Sequence, residues 1–214
     1  MKNIGVLGGS FNPIHEGHLQ LAEFATLYFD EVWLMPAYSH PHGKEILGTQ
    51  HRINMASLGV RNRHHKIILS GYEVQHKIEG GTYETLCRLK KEYPDWNFSF
   101  IVGQDNADTL DTWRQADELR DAFPFLVIPR KGYPRNFSSD AWFSKGHHQY
   151  ISHVDEKDAI MQISSTEIRE MLSRGEKPDE IADWVFKYIK EHQLYGYKDV
   201  SEQLQNIEGQ AHSQ

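Results

Sequence analysis

Residues 8–18, GGSFNPIHEGH, place two histidines beside glycines at a spacing suited to binding phosphate. They follow an apolar run at residues 2–7 that is typical of a buried strand. We expect a helix to begin near Gly17, where free backbone N–H groups and the positive end of the helix dipole attract an anion. His15 and His18 are three positions apart, so both fall on one side of the first helical turn. The segment therefore predicts a phosphate-binding loop between a strand and a helix.

Other interpretations of this loop are weaker. It contains neither the GxGxxG fingerprint of dinucleotide folds nor the GK[ST] ending of a P-loop. The two histidines could instead be solvent-exposed residues of an ordinary turn, or a pair of metal ligands. A metal site is disfavoured because no third ligand follows at a typical interval. The histidine pairs at positions 40/42, 64/65 and 147/148 also lack acidic or cysteine partners at ligand spacing, so we predict no metal site built by the protein.

A second candidate segment is ISSTEIR at residues 163–169. Ser164 and Ser165 can cap a helix that carries Arg169, which again presents N–H groups, hydroxyls and a cation to an anion. Taken alone, a Ser-Ser-Thr cap is usually structural. Its occurrence in one chain with the first loop makes it a candidate for function.

The two segments resemble the signatures GG-[ST]-F-[DN]-P-x-H-x-G-H and I-S-S-T-x-I-R of the HxGH nucleotidylyltransferase superfamily. Within that superfamily the chain is most similar, from about residue 2 to residue 195, to the nicotinate/nicotinamide mononucleotide adenylyltransferases. Further features of the resemblance are Thr82-Tyr83-Glu84-Thr85-Leu86, Gly103-Gln104-Asp105, Trp113, Arg130, Arg52 with Met55, and Pro41-His42-Gly43-Lys44. The chain departs from the family where Gly80-Gly81 replaces a Ser-Tyr pair, where Gly43 separates His42 from Lys44, and where Glu84 replaces Asp.

The resemblance implies transfer of AMP from ATP, accompanied by Mg²⁺, to a pyridine mononucleotide, with release of pyrophosphate. The implied catalytic residues are His15, His18, Lys44 and Arg169. Those implied to contact ATP are Gly8, Gly9, Ser10, Phe11, His15, Gly17, His18, Gly103, Asp105, Ile163, Ser164, Ser165, Thr166 and Arg169. Those implied to contact the mononucleotide are Ser10, Lys44, Thr82, Tyr83, Thr85, Trp113 and Arg130.

Three alternatives to this function stay open at this point. The first is another member of the superfamily, with a phosphopantetheine, a sugar phosphate or an alcohol phosphate as acceptor. The second is a nucleotide-binding sensor that has lost turnover, although His15, Gly17, His18 and Arg169 are all present. The third, a class I aminoacyl-tRNA synthetase, is disfavoured because the chain has no KMSKS-like segment.

Several of these residues also have a physical rationale of their own. Asp105 could accept two hydrogen bonds from a ribose diol, or could instead be a helix N-cap. Trp113 offers a flat face to a pyridine ring, or is a core residue. Arg130 directly follows a predicted strand and could face a ligand, or belong to a solvated basic loop. The backbone N–H groups of residues 80–82 could bind a nicotinate carboxylate, provided that Glu84 points away from them.

The pattern of apolar residues indicates which elements must position these groups. It predicts strands at residues 2–7, 31–35, 66–69, 97–102 and 125–128, with a weak strand at 150–154. It predicts helices at residues 17–29, 50–60, 82–93, 116–122, 165–173 and 178–192, with Thr82 as an N-cap and Pro178 near a first turn. Strands that alternate with helices indicate an α/β fold, a doubly wound, Rossmann-like parallel sheet with a small C-terminal helical portion. Such sheets bind ligands at the carboxyl ends of their strands, which is where the candidate loops fall.

Composition limits the class of protein. The 214 residues predict one domain over residues 1–197, followed by a polar, mobile tail at residues 198–214. A net charge of −7 argues against nucleic-acid binding through a basic surface. No apolar run is long enough to span a membrane, and the single cysteine, Cys87, excludes a disulfide scaffold. We therefore expect a cytoplasmic protein with ATP and a pyridine mononucleotide as partners, and the sequence indicates no oligomeric state.

Overall fold

The computed structural model describes residues 1–39, 46–130, 141–151, 160 and 163–198. Six strands form one sheet, in which every neighbouring pair is parallel. The strands are β1 (Lys2–Gly9), β2 (Glu31–Pro36), β3 (Ile67–Leu69), β4 (Trp96–Gly103), β5 (Phe125–Ile128) and β6 (Gln149–Tyr150). Their order in the sheet is β3-β2-β1-β4-β5-β6. The order reverses between β1 and β4, so the loops that follow these two strands diverge and leave a crevice between them.

Helices cover both faces of the sheet. They are α1 (Glu16–Ala25), α2 (Thr49–Gly59), α3 (Tyr72–Gln75), α4 (Thr82–Glu92), α5 (Gln104–Ala107), α6 (Ala116–Ala122), α7 (Ser165–Ser173) and α8 (Asp183–Glu191). Single 3₁₀ turns lie at Leu110–Thr112, Trp142–Ser144 and Leu194–Gly196. No helix among the described residues is long and apolar enough to cross a membrane.

The core consists of two apolar layers, one on each face of the sheet, because successive side chains of a strand point to opposite faces. One layer contains Leu7 and Leu34 from the strands and residues of α1, α2, α7 and α8. The other contains Val6 and Phe100 and residues of α3, α4 and α6. This arrangement of helices about a parallel sheet confirms the predicted doubly wound α/β class.

Two helices are shorter than the sequence predicts, and the cap of a third is a different residue. The helix predicted over 17–29 ends at Ala25, where the Thr26 hydroxyl donates to the carbonyl of Glu23 and the next N–H groups bond three residues back. The helix predicted over 178–192 begins at Asp183, so Pro178 lies before it and outside its first turn. The N-cap of α4 is Gly81, with φ +85°, and Thr82 is the first helical residue rather than the cap.

Two short helices were not predicted, and two predictions lie partly or wholly outside the described residues. α3 and α5 contain four residues each, too few to show an apolar period. Of the weak strand predicted over 150–154, only residues 150 and 151 are described, and β6 ends at Tyr150. The predicted tail falls on 198–214, of which residue 198 alone is described.

Candidate active site

The loop after β1 brings the two predicted histidines into contact. His15 is the N-cap of α1 and has an extended backbone, with φ −147° and ψ 169°. The rings of His15 and His18 stack with centroids 3.7 Å apart, and the edge of Phe11 meets His18 at 5.0 Å. The backbone N–H of His15 donates to Nδ1 of His18 over 3.4 Å. This bond leaves the proton of a neutral His18 on Nε2, where it can be donated to a ligand.

Both histidines are neutral in this site. Burial and the positive charge of Arg130 lower the pKa of His15 from 6.5 to about 3. Burial, together with His15 and Arg130, holds the pKa of His18 well below the usual 6.5. Neutral imidazoles donate hydrogen bonds to phosphate oxygens, and a bound polyphosphate would raise both pKa values towards the protonated, more strongly binding form.

The second predicted segment contacts the first. Arg169 donates from Nη1 to the carbonyl of Asn12 over 2.8 Å, and Ser165 Oγ donates to the carbonyl of Pro13 over 3.2 Å. From the C-terminal 3₁₀ turn, the hydroxyl of Tyr195 donates to Oδ1 of Asn12 over 2.9 Å. Residues far apart in sequence therefore hold the backbone that precedes His15.

Only one of the two serines expected to cap α7 does so. Ser164 Oγ accepts the N–H of Thr166 over 3.1 Å, and the Ser164 N–H donates to Glu167. Ser165 is already inside the helix, so its hydroxyl is free to turn towards the β1 loop. Arg169 also donates to the hydroxyl of Thr166 over 3.1 Å, which fixes its guanidinium on the side of α7 that faces that loop.

A cavity of about 310 Å³ opens at the carboxyl ends of β1, β2 and β4. Of the residues expected to bind ligand, those that line it are Gly8, Gly9, Ser10, His18, Thr82, Gly103, Trp113 and Arg130. Those that lie outside its lining are Phe11, His15, Gly17, Tyr83, Thr85, Asp105, Ile163, Ser164, Ser165, Thr166 and Arg169. Lys44, with the rest of the Pro41–Lys44 element, is outside the described residues.

Tyr83 and Thr85 are turned away from this cavity. The ring of Tyr83 meets Phe123 edge-on at 6.4 Å, because the residue after Thr82 lies about 100° further around α4. Thr85 is buried and donates its hydroxyl to Oε1 of Glu73 over 2.8 Å. The assignment of these two residues to the mononucleotide stays a prediction.

Asp105 and Arg130 form an ion pair at the end of β4. Arg130 Nε lies 3.0 Å from Asp105 Oδ1, and the side chain of Arg130 is only 8% exposed. A Cβ on Gly103 would come within 2.6 Å of the Asp105 carboxylate and 2.8 Å of the guanidinium, so the pair requires a glycine there. The N-cap of α5 is Gly103, which makes the N-cap interpretation of Asp105 wrong. Arg130 lines the cavity and is not part of a solvated loop.

The far end of the cavity is formed by Trp113 and the start of α4. Trp113 is half-buried and lines the cavity, and its ring is nearly perpendicular to that of Phe100, with centroids 5.9 Å apart. Gly81 and Thr82 line the cavity at the N-terminus of α4, where backbone N–H groups have no helical partner. Glu84 does not point away as expected. Its carboxylate lies over Gly80, where a Cβ would meet Oε2 at 1.5 Å, and it pairs with Arg88.

The structure adds residues that sequence reasoning did not place in the site. Arg52 is fully buried, Glu73 lines the cavity, and Asn106 and Arg114 line it beside Asp105 and Trp113. Asn106 and Arg114 adjoin predicted residues, so their position in sequence was a usable signal. Glu73 lies in α3, which has no motif and no period, and it carried no such signal.

Comparisons with known proteins identify the family. The cytidylyltransferase-like family model matches residues 6–171. Relatives from Myxococcus xanthus and Oceanobacillus iheyensis, each named "Probable nicotinate-nucleotide adenylyltransferase", are 33% and 34% identical. The alignments cover 91% and 92% of this chain, and 95% and 98% of the relatives.

A solved structure supports the fold. It is a nicotinic acid mononucleotide adenylyltransferase from Plasmodium falciparum complexed with NaAD, and it is similar to this chain with a TM-score of 0.76 and 24% identity. The alignment covers 92% of this chain and 99% of that one. The extent of the family match and the identity of the relatives show that this chain belongs to the cytidylyltransferase-like nucleotidyltransferases and, among them, to the nicotinate-nucleotide adenylyltransferase family.

Proposed function

We propose that the protein transfers AMP from ATP to nicotinate mononucleotide, giving the deamido dinucleotide and pyrophosphate, a step of NAD biosynthesis. The observation that carries this proposal is a single cavity with a phosphate-binding loop at one end and an aromatic face at the other. Gly8, Gly9, Ser10 and His18 form the first end, and Gly81, Thr82 and Trp113 form the second, which we call the pyridine end. A nucleoside triphosphate bound at the first end and a pyridine mononucleotide bound at the second can therefore react within one cavity.

The reaction needs no covalent intermediate with the protein. An oxygen of the mononucleotide 5′-phosphate forms a bond to the α-phosphorus of ATP, and the bond from that phosphorus to the β-phosphate bridging oxygen breaks. Pyrophosphate leaves with the electron pair of that bond. Catalysis then consists of positioning and of stabilising the charge that develops on the phosphates.

The β1 loop and residues from other parts of the chain supply the groups that this reaction needs. His18 donates from Nε2 to the phosphates, and His15 stacks behind it and fixes its orientation. Arg169 supplies positive charge beside the loop, as would Lys44, and Asp105 accepts the ribose hydroxyls of ATP. We propose that Mg²⁺ enters with ATP, as the substrate MgATP.

We infer that the N-terminus of α4 gives the pyridine end a preference for a carboxylate over a carboxamide, against the acidic side chains of Glu73 and Glu79 that also line the cavity. Gly81 and Thr82 begin α4, so their N–H groups and the helix dipole suit an anion. Arg88 pairs with Glu84 and so balances the carboxylate that lies over Gly80. The relatives are named for the nicotinate nucleotide, which agrees with this preference.

The direct test is pyrophosphate release from ATP with a panel of acceptors. We expect turnover with nicotinate mononucleotide. With nicotinamide mononucleotide we expect kcat/KM to be lower by a factor of about ten or more, because a mismatched polar group in the pocket is costly. Turnover only with phosphopantetheine, a sugar phosphate or an alcohol phosphate would replace the proposal with that activity. ATP binding without any release would identify a sensor. A cytoplasmic location stays a prediction from the sequence.

A further inference from the structure

One peptide group beside the cavity lies between a buried arginine and a half-buried glutamate. Arg52 Nη2 donates to the carbonyl of Ala37 over 2.8 Å, and the N–H of Tyr38 donates to Oε2 of Glu73 over 3.3 Å. That carbonyl and that N–H belong to the same peptide group, so its oxygen faces the cation and its hydrogen faces the anion. Among the described residues no direct ion pair joins Arg52 to Glu73, and the peptide connects them instead.

Arg52 is committed to backbone acceptors. It also donates to the carbonyl of Ser10 over 2.7 Å and to that of Leu47 over 2.9 Å. Its side chain is completely buried. A buried guanidinium with this many carbonyl partners fixes the segment after β2 against the loop after β1.

Glu73 extends the connection to the pyridine end. Its second carboxylate oxygen accepts the hydroxyl of Thr85 over 2.8 Å, in the first turn of α4. Glu73 itself and Ser39, the residue after Tyr38, both line the cavity, as do the first residues of α4. One carboxylate therefore holds two separate walls of the pyridine end at a fixed distance.

The phosphate end is held by other groups. Arg169, Ser165 and Tyr195 bind Asn12 and Pro13, and none of the three contacts Glu73. Arg52 binds both ends, through the carbonyls of Ser10 and Ala37, whereas Glu73 binds only groups at the pyridine end. Loss of Glu73 should therefore weaken binding of the mononucleotide and spare that of ATP.

We propose that Glu73 is a positioning residue for the mononucleotide, acting through the Ala37–Tyr38 peptide group and through Thr85 rather than by contact with the reacting atoms. This proposal rests on the function proposed above. Glu73 would act on the binding of the pyridine mononucleotide rather than on the chemistry of ATP.

The test is the substitution Glu73→Gln, with KM measured for each substrate in turn. Glutamine keeps the size of the side chain but removes its charge, and its single acceptor oxygen cannot serve both donors, so the Thr85 hydroxyl must turn to accept from the amide and the charge-assisted bond to the Tyr38 N–H weakens. We expect KM for the mononucleotide to rise about tenfold or more, with KM for ATP within about threefold of wild type. Glu191→Gln, an exposed acid of α8, is the control with the same change of charge and should match wild type.

Two further variants separate positioning from general damage. Thr85→Val removes one hydroxyl while keeping the shape, and should raise the same KM by a smaller factor even if Glu73→Gln does not fold. Tyr195→Phe removes the hydroxyl that binds Asn12, and should change KM for ATP or kcat while leaving KM for the mononucleotide near wild type.

The possible results differ in what they overturn. If the wild-type protein is active and neither Glu73→Gln nor Thr85→Val changes KM for the mononucleotide, the positioning role alone is overturned. Equal increases in both KM values also overturn it, since a merely structural residue would act in that way. A wild-type protein with no adenylyl transfer to any pyridine mononucleotide overturns the proposed function and this role with it.

Discussion

The carboxylate of Asp105 and the guanidinium of Arg130 meet 3.0 Å apart across Gly103, at the point where β4 ends. The acid that we assign to the ribose of ATP is therefore already engaged by a buried cation. An ion pair of this kind holds the carboxylate in place before the ligand arrives, while the Asp105 side chain stays 35% exposed. Asp105 and Arg130 should accordingly behave as one unit in binding and in stability.

Asp105→Asn should affect both properties. The substitution preserves shape but leaves Arg130 without its anionic partner, so we expect the free energy of unfolding to fall by about 1–3 kcal/mol. We also expect KM for ATP to rise about tenfold, with KM for the mononucleotide little changed. Urea denaturation and initial-rate kinetics measure the two effects. Unchanged stability would show that the pair contributes nothing to the fold.

His18→Ala should leave the fold intact and lower kcat by about 10²–10³, the usual effect of removing one preorganised donor. The reason is the Nε2 proton, which the bond from His15 directs towards the phosphates. Circular dichroism checks the fold, and stopped assays of pyrophosphate release give kcat. His65→Ala, an exposed histidine of a surface loop, is the matched control. Near-normal kcat in the His18 variant would contradict the assigned role.

Stability should decline in acid because burial lowers the pKa of three histidines, His15, His18 and His148, in the folded protein. Burial lowers the pKa of His15 to about 3 and that of His148 to about 4, whereas an unfolded histidine has a pKa near 6.5. The unfolded chain therefore takes up protons first, so the contribution of both groups is complete above pH 6.5 and is lost as pH falls towards 4 and 3.

The measurement for this prediction is the urea midpoint at pH values from 7 to 4. His148→Gln should reduce the decrease between pH 6.5 and 4, since His148 contacts Phe125 and Trp142 away from the cavity. A midpoint with the same pH dependence in the variant would show that His148 does not take part.

Trp113→Ala should raise KM for the mononucleotide and spare KM for ATP. The tryptophan face is the aromatic surface we assign to the pyridine ring, and loss of such a stacking contact is worth about 0.5–1.5 kcal/mol beyond lost area. Trp184→Ala, at an exposed position of α8, controls for the loss of an indole elsewhere. An equal effect on both substrates would mean that Trp113 supports the cavity as a whole.

Gly81→Ala should destabilise the protein by about 1 kcal/mol, because Gly81 has φ +85° and an alanine there is strained. Gly48→Ala is the natural comparison, since its φ is −47° and a Cβ would meet nothing within 4 Å. The shift of the thermal unfolding midpoint from wild type should therefore differ in sign or size between the two variants. Equal midpoints would show that the start of α4 adjusts freely.

The sequence was sufficient to predict the order of the longer strands and helices along the chain and the position of the first candidate loop between β1 and α1. Apolar period and glycine turns carry that information locally, and the long elements show it best. The orientation of Tyr83, which the family resemblance assigned to the ligand, was not predictable in the same way. One step around α4 turns that ring onto Phe123, and such a rotation depends on where the helix begins.

The partners of the charged residues Arg52 and Glu73 were the contacts hardest to predict from the sequence. Arg52 and Glu73 each bind backbone groups that lie far away in sequence, and no spacing rule connects them. The shared partner is a peptide group, which every residue possesses and which no pattern of side chains can indicate. Arg130 is similar, since its partner Asp105 was identified as a ribose ligand and not as a counter-ion.

The hydrogen bonds that hold the β1 loop also determine when, during synthesis, this loop can reach its final structure. Asn12 and Pro13 leave the ribosome early, yet Ser165 and Tyr195, which bind them, follow 152 and 183 residues later. The N–H of Glu16 likewise finds its acceptor at Glu180. A nascent chain that already contains its phosphate loop therefore cannot hold ATP in the final geometry until synthesis has passed the C-terminal helices, and these late, long-range closures are the contacts that slow folding most.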